Sequence, residues 1–327
     1  MGKRSRPNAF QGSLKKKFYF EGWYNKIVDS SANHIYAIIP TIALNKKEKT
    51  SHAFIQYLDG INATVEYFKY RLEDFENLSN KKYEVQIGKN YFSVERIHID
   101  IDQRNYKIEG DLEYLDPVLW PKKFLQPGVM GWFSYMPFME TYHGMVSMNH
   151  EIRGTLTING EIINFDKGKG YIEKDWGKSF PSAWIWTQSN HFSNPNLSFM
   201  FSIAKIPFLG MQFNGFLSAL WYEGDFYKFA TYTRAKVKSL DILSDNLHII
   251  VEDKKYTLDF EVAKKGIGSG LLKAPVEGIM SGHIAESINS KIKLQLFDKK
   301  KNELIIDDLG LNAGLEVKNP ETLRPKK

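Results

Sequence analysis

The run GYIEKDWGKSFPSAWIWTQSNHF at 170–192 holds the densest set of side chains able to move a proton or grip a polar group. In a strand, successive side chains point to opposite faces, so Tyr171, Glu173 and Asp175 share one face and Ile172, Lys174 and Trp176 the other. Facing carboxylates repel when both are ionised, which pushes one pKa up, and an aromatic wall pushes it further by desolvation. A carboxylic acid kept protonated this way is a proton donor at neutral pH. The alternative is an edge strand on which Glu173 and Asp175 face solvent.

Further along the same run, Trp184, Trp186, Gln188, Asn190 and Phe192 fall on one face and Ile185, Thr187, Ser189 and His191 on the other. An unpaired buried amide costs a few kcal/mol, so Gln188 and Asn190 must either pair across the sheet or hold a polar ligand head flanked by the indoles. Near the start, FYFEGWY sets Tyr19, Glu21 and Trp23 on one face, with Gly22 allowing close approach, so Glu21 is a lone carboxylate among aromatics. METYHGMVSMNHEIRG adds His143 and His150, whose spacing of seven puts them on opposite faces of a strand; no metal site is expected from them unaided. There is no nucleophile elbow, no Gly-rich phosphate loop and no HExxH, and Gly266, Gly268 and Gly270 lack the spacing of a dinucleotide site.

These groups need elements to position them, and the chain supplies strands almost throughout. FYFEGWYNKIV (18–28), HIYAIIPTIAL (34–44), SHAFIQYL (51–58) and ATVEYFKY (63–70) alternate, and similar segments recur to the end, with a hairpin about Asn159 and Gly160. Strands at this spacing, divided by Asn, Asp, Gly and Pro, predict an all-β sandwich or barrel architecture. Residues 115–138, with Pro117, Pro121, Pro127 and Pro137 beside Trp120 and Trp132, read as a packed loop or lid over a domain face.

Length and composition agree. The chain has 327 residues, which suits two domains of about 150 each. Aromatics reach 14%, and no cysteine is present, which removes disulfides, thiolate nucleophiles and Cys zinc sites and fits a reducing compartment. The net charge of +6 is misleading, because Lys3, Arg4, Arg6, Lys15, Lys16 and Lys17, then Arg324, Lys326 and Lys327, sit at the two ends and leave a slightly acidic body. No nucleic-acid partner is therefore expected. Basic tails suit solvent, or weak contact with a membrane surface. The apolar stretch 197–221 is broken by Lys205, Pro207, Gln212 and Asn214, and no targeting segment is evident, so a cytoplasmic protein, at most peripheral to a membrane, is expected.

Together FYFEGWYNK (18–26), METYHGMVSMNHEIRG (139–154), GKGYIEKDWGKSFPSAWIWTQSNHF (168–192) and GHIAESINSKIKLQL (282–296) resemble the tocopherol cyclase family. The resemblance implies two lipocalin-like antiparallel β-barrel domains in tandem, set at 17–180 and 181–318 between a basic N-terminal tail (1–16) and a basic C-terminal tail (319–327). It implies cyclisation of a prenyl hydroquinol: an alkene is protonated, a tertiary carbocation forms, and a phenolic oxygen captures it. Under that reading Asp175 is the acid, Glu173 its partner and Glu21 the reserve, and desolvated indoles stabilise the cation. Trp23, Tyr24, His143, Trp176, Trp186, Gln188, Asn190 and His191 are then the expected substrate-binding residues. The reaction is redox neutral and calls for no cofactor, and its partner is a small apolar isoprenoid or prenylquinol. A carrier of an apolar lipid and an isoprenoid hydratase draw on the same residue types.

Overall fold

The structure, a computed structural model, describes residues 3–123, 126–137, 139–208, 210–243, 246–263 and 268–325. Among these the regular structure is strand, with helix limited to short 3-10 turns. The chain divides into two units, Met1–Phe180 with Leu271–His283, and Pro181–Gly270 with Ile284–Lys327.

The first unit is built on β1 (Phe18–Val28), β2 (Ile35–Asn45), β3 (His52–Asp59), β4 (Thr64–Tyr70), β5 (Phe75–Asn77), β6 (Glu84–Ile87), β7 (Asn90–Ser93), β8 (Arg96–Gln103), β9 (Tyr106–Leu115), β10 (Thr141–Ile158), β11 (Glu161–Asn164) and β12 (Gly168–Gly177). They form one antiparallel sheet in the order β4-β3-β2-β1-β12-β10-β9-β8-β7-β6-β5, with β11 paired to β10. The ladder is an open path, and the chain itself links its two ends through the turn Leu72–Asp74. Alternation decides the inner face: Tyr19, Trp23, Ile27, Ile38, Ile42, Phe68, Ile97, Ile99, Ile172 and Trp176 bury their side chains in a single core.

The second sheet is made of β13 (Trp184–Ser189), β14 (Leu197–Phe208), β15 (Met211–Tyr222), β16 (Asp225–Ala230), β17 (Lys236–Ile242), β18 (Asn246–Glu252), β19 (Tyr256–Ala263), β20 (Gly270–Val276), β21 (Ile279–Asp298) and β22 (Glu303–Lys318), and carries the core of the second unit, although residues 271–283 of β20 and β21 count with the first. Its order is β16-β15-β14-β13-β22-β21-β19-β18-β17, again antiparallel and open, with β20 paired to β21. Ile185, Phe199, Phe201, Phe260, Leu294 and Leu315 lie in its core. The apolar stretch 197–221 is the β14–β15 hairpin.

Two segments differ from the expectation of solvated tails. Asn8, Ala9 and Phe10 are buried, Phe10 among the core residues of the first unit, because an apolar pair inside a basic run still gains by leaving water. At the other end Leu323 is buried in the core of the second unit. Among the described residues of 116–137 no strand forms; Trp120 and Val129 are buried, Trp132 is exposed, and Gly131–Tyr135 forms a 3-10 turn. Phe124, Leu125 and Phe138 of that segment, and Gly266, Lys326 and Lys327, lie outside the described residues.

Candidate active site

β12 carries different chemistry on its two faces. On the face turned to the core, Lys174 and Glu21 form a fully buried ion pair. The register explains it: β1 and β12 pair Glu21 with Trp176 and Trp23 with Lys174, so these four side chains project together. The Glu21 carboxylate also accepts hydrogen bonds from the Gln11 amide at 2.9 Å, the Gly12 amide at 3.0 Å and the Tyr19 hydroxyl at 2.5 Å. Lys174 Nζ donates to the Ala9 carbonyl at 2.8 Å and lies 4.8 Å from the Trp23 ring centroid and 4.7 Å from that of Trp176. Burial lowers the Lys174 pKa, and Glu21 acts against that shift. Of the three indoles expected to bind substrate, Trp23 and Trp176 thus face the chain's own ammonium, and Trp186 lies elsewhere, on β13.

The opposite face gathers Tyr171, Glu173, Asp175 and His143. Tyr171 donates a short hydrogen bond to Glu173 Oε2, and burial, then the Glu173 charge, raises the phenol pKa. His143, opposite Asp175 in the β10–β12 register, places Nδ1 at 2.9 Å from Asp175 Oδ1 and Nε2 at 3.5 Å from Glu173 Oε2. The imidazole therefore bridges two carboxylates that the β12 period alone puts side by side. Side-chain exposure is graded: 6% for Glu173, 12% for His143 and 28% for Asp175. His143, Glu173 and Asp175 also have donor atoms within 4.8 Å of one another, a spacing that a metal ion can bridge. Tyr24 is buried opposite Glu173 across β1–β12. Glu21 and Asp175 thus point to opposite faces of the same sheet.

His150 sits apart, buried, with Nδ1 at 2.9 Å from Ser147 Oγ and its ring 4.3 Å from Tyr114. Desolvation lowers its pKa to about 3, so the ring is neutral at physiological pH. A Cβ on Gly170 would lie 2.1 Å from His150 Nε2, which is why β12 carries glycine there.

In the second unit β13 presents Trp184, Trp186 and Gln188 on the face away from the core that holds Ile185, and Asn190 follows them; all are buried. Gln188 Nε2 donates to Asn190 Oδ1 at 3.4 Å. The Trp186 indole lies against Gly314, where a Cβ would come within 2.5 Å of the ring, so glycine makes room for it. Trp184 Nε1 donates to Glu316 Oε2 at 2.8 Å, and Glu316 is the register partner of the buried Glu286 on β21. This carboxylate pair escapes a reading along the chain, because bulges between Ser287 and Ile292 set the register that brings it together. His191 lies beyond β13, bridged to Leu311.

Comparison with known proteins gives these arrangements a context. A probable chloroplastic tocopherol cyclase of Oryza sativa subsp. japonica is 27% identical over 201 residues, 59% of this chain and 42% of that protein. The chloroplastic tocopherol cyclase of Zea mays is 28% identical over 204 residues, 60% and 43% of the two chains. This chain therefore spans less than half the length of the curated relatives it matches. Among solved structures, CghA is similar with a TM-score of 0.56 at 10% identity, covering 92% of this chain and 88% of that one. Kievitone hydratase from Nectria haematococca follows with 0.52 at 11%, covering 98% and 95%. Such likenesses establish the fold, a lipocalin-like all-β architecture. The family model described as tocopherol cyclase-like matches residues 111–319, well over half of the sequence, and the chain belongs to that family.

Proposed function

We propose that the protein is a cyclase of a prenylated hydroquinol, with Asp175 as its proton donor. The observation that carries this reading is the run Tyr171–Glu173–His143–Asp175 on one face of the β10–β12 pair. In this reading the imidazole carries its proton on Nδ1 and donates it to Asp175 Oδ1, 2.9 Å away, and Oδ2 holds the transferable proton. Asp175 is the most exposed member of the run, so a substrate reaches it before it reaches Glu173. The proton passes from Oδ2 to the less substituted alkene carbon, a tertiary cation forms, and the phenolic oxygen closes the ring. The phenolic proton returns to Asp175, so the net change is an isomerisation. Glu173, held by Tyr171, lies at the far side of the imidazole and anchors its orientation.

The partner is a small apolar isoprenoid or prenylquinol, a molecule that partitions into lipid and is met there. In the second unit the Trp184, Trp186, Gln188 and Asn190 face has the mix of indole and amide that an apolar molecule with a polar head requires.

The test is turnover of a panel of prenyl hydroquinols by the parent, Asp175→Asn and Glu173→Gln. General acid catalysis by a positioned group contributes about 10² to 10⁴ in rate, so Asp175→Asn should lose that much while keeping ligand binding. Glu173→Gln should lose less. Full activity in Asp175→Asn removes Asp175 from the role, and a parent that binds the panel without turning it over is a carrier.

A further inference from the structure

The first unit carries a surface whose charges the chemistry at Asp175 does not use. Lys15, Lys17, Lys46, Lys47 and Lys49 are all exposed where β1 begins and β2 ends. The Lys46 amide donates to the Lys17 carbonyl at 3.0 Å, which ties the two lysine runs into one patch. Lys178, just past β12, extends the patch, with Nζ 5.6 Å from the Phe18 ring centroid. Glu48 pairs with Lys47 at 3.7 Å and Glu277 with Lys178 at 2.7 Å. Among the described residues Lys15, Lys17, Lys46 and Lys49 form no ion pair with a carboxylate. Leu14, 41% exposed, lies next to Lys15.

The turns at the far end of the same sheet have the other sign. There Asp29, Asp59, Asp102, Glu161 and Asp166 outnumber Arg104, Lys107 and Lys167. The lysine patch is basic and the named turns at the far end are acidic on balance, which gives the field between them a direction. The residue types at the basic end select among anionic partners. The cations of this patch are lysines, point charges without the planar fork that pairs with single phosphates, and the aromatic among them, Phe18, is half-buried beneath Lys17 and Lys178. An exposed leucine beside the lysine run has no use against a phosphodiester backbone, whereas it inserts beneath lipid headgroups while the lysines stay among them.

We propose that this end of the first unit docks on an anionic lipid bilayer, with Lys15, Lys17, Lys46, Lys47, Lys49 and Lys178 at the headgroups and Leu14 among the acyl chains. The lysines belong to a folded platform, held by the strand ends, rather than to a loose tail. The surface stands independently of proton transfer at Asp175.

Co-sedimentation of the full chain with vesicles tests it, using phosphatidylcholine alone and phosphatidylcholine mixed with phosphatidylserine. The parent should bind the mixed vesicles, bind the neutral ones weakly, and be released by salt. Each basic residue near the surface strengthens binding by about fivefold, so K15E/K17E/K46E/K49E should weaken it by roughly 10² to 10³. K81E/K122E/K238E/K254E, with the same change in net charge elsewhere, should keep it within about threefold of the parent if location matters rather than total charge. Leu14→Ser should weaken binding by about tenfold and leave its salt dependence intact. Circular dichroism and melting confirm that each variant is folded, and the salt titration of the parent needs no variant. The proposal falls if binding ignores salt, if neutral vesicles serve equally, if the two quadruple variants lose binding alike, or if double-stranded DNA displaces the vesicles.

Discussion

Lys174 and Asp175 are adjacent in the chain, yet one belongs to a closed set of bonds and the other to an open one. Glu21, partner of Lys174, receives the Gln11 and Gly12 amides, the Tyr19 hydroxyl and the ammonium. A carboxylate has about four acceptor sites, so Glu21 has nothing left to offer a visitor. Asp175 shares His143 with Glu173 and is partly exposed. The same contrast separates the two histidines of β10: His150 is neutral and sealed, while His143 stands between two acids. A buried charge marks chemistry only where some of its bonding capacity is unspent; on the core side of this sheet, charge is architecture.

That contrast can be broken by experiment, and the largest effect is expected on the sealed side. Lys174→Met strands the Glu21 carboxylate, and losing one partner of a buried pair costs about 3–5 kcal/mol, read from the urea midpoint. Glu21→Gln combined with Lys174→Met should recover much of that loss, since no buried charge remains. A double variant no better than the single one would mean that Glu21 and Lys174 are not coupled.

The next effect is a pH dependence owed to His150. Its folded pKa of about 3 lies below the ordinary value of 6.5, so between those limits the unfolded chain takes up a proton that the native state refuses. Stability should therefore fall as pH drops below 6.5, by about 1.4 kcal/mol per pH unit from this residue, and level off near pH 3. The slope should shrink in His150→Gln. An unchanged slope would show that the ring is not sealed as described.

The smallest effect belongs to the open side. Asp175→Asn should shift stability by less than about 1 kcal/mol, in keeping with a partly exposed hydrogen-bonded group. A loss near that of Lys174→Met would make the two faces equivalent and Asp175 structural.

How far the sequence announced this depends on the distance over which each feature is built. Period-two alternation marks β1 as Phe18–Val28 and places Tyr171, Glu173 and Asp175 on one face, because both are local consequences of strand geometry. The all-β class follows from the same period repeated along the chain. The Lys174–Glu21 pair spans 153 positions and depends on which strands become neighbours, which alternation does not specify. Glu286 and Glu316 meet through bulged pairing for the same reason. The burial of Phe10 is hidden by composition: six cations dominate residues 3–17, and one well-placed aromatic outweighs them.

The hairpin Leu271–His283 belongs to the first unit although most of the second unit precedes it in the chain. Lys273 exchanges hydrogen bonds with Gln56, the Asn45 amide donates to the Glu277 carbonyl, and Phe180 N donates to the Pro275 carbonyl. During synthesis, β1 waits for β12 to emerge, and the first unit then waits for the hairpin, roughly a hundred residues later, before those buried groups find partners. Such non-local closure is slow and leaves strand edges uncovered while the ribosome works. A fragment cut at Phe180 keeps the strands of the first sheet but lacks the piece that satisfies Asn45 and Gln56, so expressing the two halves separately divides the chain at a place where the fold does not divide.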